Sequence, residues 1–184
     1  LSREINKQKI IDNSYYIDGG FYNLSPTDML ENIGCTTIYN INIKGIGIKK
    51  PKLKKKANII EIKPKSSLGS IIVFNKESVE NNMKRGYYDT LKVLKKIDGL
   101  DYYFYKKNDS FYESLTKKWK EKTKEEIKSF FKVKSDKEAL ICALEYFLEK
   151  EGMSDLTIYK VKNIIKKAKQ TKKEDIIYNY IKLL

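Results

Sequence analysis

Leu100-Asp101-Tyr102-Tyr103-Phe104-Tyr105-Lys106-Lys107-Asn108-Asp109-Ser110-Phe111-Tyr112-Glu113 is the stretch on which the fold turns. Up to Tyr105 it is a short aromatic run of the kind that favours a pleated strand. After Asn108 the character changes. Ser110 stands three residues before Glu113, the spacing of a capping box that opens a helix, and Phe111, Leu115 and Trp119 follow at helical intervals. The reading on either side of this stretch differs accordingly: mixed strands and helices before it, helices alone after it.

Working back from Leu100, Asp98-Gly99 punctuates the end of a helix-period segment, Glu77 to Ile97, whose apolar stripe is Val79, Met83, Tyr87, Leu91 and Leu94. Ser70 to Phe74 and Ala57 to Lys63 read as strands, parted by Pro64 and the turn Ser66-Ser67-Leu68-Gly69. Thr36 to Ile48 alternates, with Tyr39, Ile41 and Ile43 on an apolar face and Asn40, Asn42 and Lys44 opposite, the pattern of a half-buried strand. Gly45 breaks the alternation and predicts a bulge. Ser25-Pro26-Thr27-Asp28 places Pro at the first position of a short helix that reaches Ile33 and stops at Gly34. Tyr15 to Phe21 reads as a strand entering a turn, and Ser2 to Ile11 as a short helix.

Working forward, Ser135-Asp136-Lys137-Glu138 is a second capping box, opening a helix with Leu140, Leu144, Phe147 and Leu148 on its stripe. Asp155 to Lys169 and Lys173 to Leu184 follow as helices. The expected class is α+β: a body over residues 1–107 built on a small mixed β-sheet with helices, then an all-helical region over 108–184 packed on that body.

The 184 residues carry a formal net charge of +14, and the pI is about 9.5. An imbalance of this size repels itself unless a polyanion neutralises it, and nucleic acid is the commonest such partner. The chain has no histidine, and Cys35 and Cys142 lie far apart. Common zinc-site spacings therefore cannot be built, and a His general base or a Ser-His-Asp triad is excluded. The two cysteines are expected as buried thiols in a reducing compartment. No apolar run approaches the length that spans a bilayer, and Leu1 to Lys9 lacks the apolar core of a signal peptide. These features predict a soluble, intracellular protein with no membrane partner. Its first residue is Leu1, as in a processed or trimmed chain.

The strongest local feature is the segment from Lys44 to Lys65, read as a β-hairpin. It holds Lys44, Lys49, Lys50, Lys52, Lys54, Lys55, Lys56, Lys63 and Lys65 against the single acid Glu61. Phosphates that replace the mutual repulsion of these ammonium groups release their own counterions as a further gain. A second basic surface is expected from Lys160, Lys162, Lys166, Lys167 and Lys169. There, Glu138 to Lys169 has two helices joined near Gly152, as in helix-turn-helix readers and in ordinary αα-hairpins. Met153, Ile158 and Val161 take apolar packing positions, while Tyr159, Lys160, Lys162, Asn163 and Lys166 are exposed. Tyr102 to Tyr105 beside Lys106 and Lys107 reads as a core strand rich in tyrosine, with stacking platforms for a single strand as the alternative. Gly45 and Gly47 do not make a phosphate loop, because no Lys-Ser/Thr follows at the required spacing.

Glu61-Ile62-Lys63 lies on the second predicted strand, so period two puts Glu61 and Lys63 on one face with Ile60 and Ile62 opposite. With this triplet, and with a helix and then a strand following it, the chain resembles the PD-(D/E)xK nuclease superfamily. The resemblance implies a divalent-metal nuclease in which Glu61 ligates magnesium and Lys63 orients the attacking water and stabilises developing charge. That family also places an acid on the preceding strand. The strand from Thr36 to Ile48 has none, and Asp18 or Asp28 supplies one only if the preceding elements fold back. The expectation drawn from the residues is a nucleic-acid-binding protein that needs no cofactor. The metal nuclease and a basic structural or inhibitory subunit of a nucleoprotein complex, with a protein partner, are the alternatives.

Overall fold

The structure is a computed structural model describing residues 9–11, 13–16, 19–43, 57–64, 68–69 and 75–184, with backbone alone for 9–11. The class is α+β, and the described residues hold seven α-helices and three small sheets, the strands concentrated toward the amino terminus and the carboxyl-terminal region mostly helical. The chain divides into two compact units, 1–68 and 69–184. The expected division at 107 falls inside the second unit.

In the first unit, β1 (Lys9–Ile11) and β2 (Ser14–Tyr16) pair antiparallel, so residues 9–11 are strand and not the end of a helix. Helix α1 (Thr27–Asn32) starts one residue later than Pro26 at its first position would require, with Pro26 at the N-cap. Gly34 follows it at φ +94°, a left-handed conformation that favours glycine. Strands β3 (Thr37–Ile41) and β4 (Asn58–Ile62) are parallel, in register from Thr37 with Asn58 to Ile41 with Ile62. The expected hairpin is thereby corrected: parallel neighbours need a crossover of a dozen or more residues, and the span from 42 to 57 is of that length. The expected bulge at Gly45 and strand at 70–74 lie outside the described residues.

The facing of β3 is also the reverse of the expected one. Ile38 is buried, whereas Tyr39, Ile41 and Ile43 are exposed, Ile41 at 71%. The cause is hydrogen bonding: Ser25 Oγ donates to Asn40 Oδ1 at 3.1 Å and Asn42 Nδ2 to Glu61 Oε1 at 3.1 Å. These side-chain partners, distant in sequence, hold the polar set and leave the apolar set outward.

The second unit begins with α2 (Lys76–Val93), capped by Asn75, whose side chain accepts from the Ser78 N–H at 2.8 Å. Its expected stripe is exposed at Val79, Met83, Tyr87 and Leu94. The helix instead turns Asp89 inward, where the Tyr103 hydroxyl donates to it at 3.0 Å and the Tyr88 ring lies 4.9 Å from that of Tyr103. The helix also stops short of Ile97. Ile97–Asp98 forms β5, which pairs antiparallel with β6 (Tyr103–Tyr105). In the turn between them Gly99 has φ +116°, and a Cβ there would lie 2.2 Å from the Tyr102 carbonyl oxygen.

Helix α3 (Asp109–Thr116) is capped by Asn108, whose Oδ1 accepts from the Phe111 N–H at 3.1 Å. Ser110 therefore sits inside the first turn, and the expected capping box is not formed. Asn108 caps the helix two residues earlier, its amide oxygen taking the N–H of Phe111 at the third helical position. Helix α4 (Glu121–Phe131) follows and ends at Lys132, in the left-handed region at φ +55°. Helix α5 (Asp136–Lys150) opens with the full Ser135–Glu138 capping box and is the core of the unit. Ala139, Leu140, Ala143, Leu144, Phe147 and Leu148 are all fully buried, and α3, α4, α6 (Val161–Gln170) and α7 (Ile176–Lys182) pack on it.

The expected helix from Asp155 is corrected over its first six residues. Ile158–Tyr159 forms β7, parallel to β6, with Tyr103 opposite Ile158 and Phe104 opposite Tyr159. A β-branched and aromatic pair beside an open strand edge is more stable there than in a helical turn. Helix α7 likewise begins later than Lys173, where Asp175 Oδ1 accepts the Ile177 and Tyr178 N–H groups at 2.8 and 3.3 Å. Cys35 and Cys142 are half-buried thiols, less enclosed than expected. No helix of the described residues is long and apolar enough to cross a membrane.

Candidate nucleic-acid interface

Helix α6 is strongly two-faced. Val161, Ile164, Ile165 and Ala168 are buried against the unit, while Lys162, Asn163, Lys166, Lys167, Lys169 and Gln170 are exposed. From Leu156 to Lys173 the sequence has seven lysines and no acid. Lys160, Lys162, Lys166 and Lys169 form no ion pair among the described residues. On α4, by contrast, Lys124 pairs with Glu121 at 2.6 Å and Asp136 at 3.5 Å, and Lys128 with Glu125 at 2.8 Å and Asp136 at 3.3 Å. Among the described residues, the positive charge of Lys160, Lys162, Lys166 and Lys169 is therefore not neutralised by an ion pair.

Lys162, Lys166 and Lys169 share one stripe. At about 1.5 Å per residue they stand about 6 and 10.5 Å apart along the axis. Successive phosphates of one strand advance about 3.4 Å, so the three amines match about every second and third phosphate. Their mutual repulsion, about 0.7 kcal/mol per pair at 6 Å in water, is relieved by a polyanion.

Of the lysines expected on the second basic surface, Lys162, Lys166, Lys167 and Lys169 stand on the exposed side of α6, and Lys160 is exposed at its N-cap. Lys49, Lys50, Lys52, Lys54, Lys55, Lys56 and Lys65 lie outside the described residues. The helix-turn-helix and αα-hairpin readings give way, because ten residues, Glu151 to Lys160, separate α5 from α6 and include β7. Tyr103 and Phe104 are core, as a structural strand requires, and Tyr105 is half exposed.

Glu61 and Lys63 share a face, as expected, and are paired at 3.3 Å. Glu61 also accepts from Asn42, and its register partner on β3 is Asn40, not an acid. Asp28 is engaged by the Asn23 amide at 2.8 Å, and Asp18 lies outside the described residues. The described residues contain no group of three His, Cys, Asp or Glu side chains able to hold a metal. Among the described residues this donor set does not fit a magnesium ion.

Three buried acids that carry no motif in the sequence position α6. Glu145, on α5, takes the N–H groups of Leu100, Asp101 and Tyr102 on its Oε1 at 2.6, 3.0 and 3.1 Å. Burial pushes its carboxyl above the ordinary range, and the three N–H donors offset this only in part. Asp98 accepts from Lys106 Nζ at 2.6 Å, the Lys107 N–H at 2.9 Å and the Tyr112 hydroxyl at 3.0 Å. Burial pushes Asp98 up, but these donors together outweigh it and hold the carboxyl below its usual range. Asp89 accepts from Tyr103, whose hydroxyl is pushed up by burial and then by that carboxylate. The three acids fix the β5–β6 hairpin, β7 pairs with it, and α6 starts two residues after β7. Charged residues within apolar stripes, such as Glu145 beside Leu144, are the only sequence signal of this network.

Comparison with protein-family models, with curated proteins and with solved structures finds no match.

Proposed function

We propose that the protein binds nucleic acid, DNA or RNA, by electrostatic capture on the lysine face of α6, with the Lys-rich segment 44–56 as a second contact. The observation that carries this reading is the acid-free exposed face of α6, seated on a buried apolar stripe and unpaired by any neighbouring carboxylate among the described residues. A helix held this way presents its amines at fixed spacing, so phosphates gain contacts at little ordering cost. No base-reading group is required. The partner is recognised as a strand of phosphates, and binding needs no metal.

The test is anisotropy titration of labelled duplex and single-stranded oligonucleotides across salt. Affinity falls steeply with salt in the wild type, and the combined Lys162→Ala, Lys166→Ala, Lys169→Ala variant loses about two to three units of the log-log salt slope. A wild type that binds no oligonucleotide at low salt removes the proposal. A variant that folds and keeps the wild-type slope moves the contact off α6.

A further inference from the structure

The carboxyl end of α5, the segment 171–175 and the start of α7 border a shallow, open cleft of about 410 Å³, lined by Tyr146, Lys150, Lys173, Glu174, Asp175 and Tyr178. We propose that this cleft holds one nucleoside monophosphate moiety, either as a free nucleotide or as the end of a bound strand. The strand-end form rests on the function proposed above. The nucleotide site itself does not.

Its volume lies in the range of sites that hold small ligands. The Tyr146 ring is held from several directions. Its hydroxyl donates to Asp175 Oδ2 at 3.0 Å, and the rings of Phe130, Phe131 and Tyr178 meet it edge to face at 6.2, 6.2 and 6.4 Å. Over it stands the Lys150 ammonium, 5.4 Å from the ring centre. A rigid ring with an exposed cation above it is a platform on which a base can stack while the ammonium moves to the phosphate.

The floor is polar and already ordered. Lys173 Nζ and the Tyr178 hydroxyl both donate to Glu151 Oε1, at 2.9 and 3.0 Å, which holds Lys173 at the rim. Glu174 is exposed and has no ion pair among the described residues, so its carboxylate is available to accept from the exocyclic amino group of adenine, cytosine or guanine. One ammonium without an ion pair among the described residues, Lys150, for a phosphate, a second, Lys173, held on Glu151 at the rim, a ring for a base and an acceptor for its amino group are thus gathered in one cleft. Lys173 is also the last residue of the acid-free run that begins at Leu156, so a strand following the α6 face reaches the cleft at its end.

The experiment is a backbone amide NMR titration of the full chain with AMP, CMP and UMP, then with a short single strand bearing a terminal phosphate. AMP and CMP are expected to shift the amides of Tyr146, Lys150 and residues 173–175, and UMP, which lacks the amino group, to bind more weakly. Lys150→Ala weakens AMP by about ten-fold, the effect of removing one charge-assisted bond, and changes duplex affinity less than two-fold. A strand that saturates the same amides at lower concentration than AMP identifies the strand end, and AMP binding tighter than any strand identifies the free nucleotide. No shift of these amides at millimolar AMP, or equal AMP affinity in Lys150→Ala, overturns the site. Retained AMP shifts in a protein that binds no polymer would sink the α6 reading and leave the cleft standing.

Discussion

Glu145 and Asp98 show how one type of side chain does opposite work at neighbouring places. Glu145 is 6% exposed and places one oxygen under three backbone N–H groups. Glu145→Ala leaves those donors without an acceptor and costs about 3 kcal/mol, whereas Glu145→Gln keeps the oxygen and removes the buried charge. Because the folded carboxyl is raised, its ionised form is a penalty above the folded value, and that penalty fades as pH falls to the unfolded value. Urea melts are expected to show Gln at least as stable as wild type at pH 7, with the difference closing below about pH 4.3. A Gln variant as damaged as Ala would mean that the charge itself is required. Asp98 has the other sign. Its carboxyl is lowered, so its contribution is fully present above the unfolded value and is lost as pH falls through the folded one. Asp98→Asn should cost about 2 kcal/mol at pH 7 and progressively less in acid below about pH 4. A deficit independent of pH would show that the Lys106 and Tyr112 bonds do not depend on the ionised carboxylate.

At the scale of elements, α5 carries the second unit. Its amino end depends on Ser135, which accepts from the Glu138 N–H at 3.2 Å while Glu138 returns a carboxylate oxygen to the Ser135 N–H at 3.3 Å. Ser135→Ala is expected to lower stability by about 1 kcal/mol, and Leu144→Ala, at the fully buried centre, by about 3 kcal/mol. Denaturant midpoints measure both, and a Leu144 variant within experimental error of wild type would contradict α5 as the core. This helix was legible because its signals are local: a box of four residues and a stripe repeating every turn. Of the buried stripe of α6 only Val161 was singled out from the sequence. What failed was non-local. Whether β3 and β4 run parallel or antiparallel depends on the path of the chain between them, and whether Ile158-Tyr159 is strand or helix depends on an open edge at Tyr103 and Phe104. The inward face of β3 was misread because Asn40 and Asn42 find side-chain partners at Ser25 and Glu61, contacts that alternation does not encode. On the candidate interface, Lys160, Lys162, Lys166, Lys167 and Lys169 were read as a surface from the sequence, and all five are exposed. The nucleotide cleft was invisible, because Tyr146, Lys150 and the 173–175 segment meet only through the packing of α5 and α7.

For the whole molecule the question is how a net charge of +14 is distributed. Two runs are rich in lysine and free of acid: residues 44–56, with seven lysines, and 156–173, with seven more. They belong to different units of the chain. If each takes phosphates of the same polymer, each releases its own counterions, and the free energies of release sum because neither set depends on the phosphates held by the other. Neutralising Lys52, Lys54, Lys55 and Lys56 should flatten the log-log salt slope by about one unit for each phosphate no longer bound, without lowering stability in denaturant melts by more than about 0.5 kcal/mol. Combining that change with Lys162→Ala, Lys166→Ala and Lys169→Ala should then reduce log affinity by the sum of the two separate reductions. Anisotropy at three salt concentrations on one long oligonucleotide distinguishes the outcomes. A combined variant no weaker than the worse of its parents means that only one run touches the polymer, and the run whose removal alone reaches that floor is the interface.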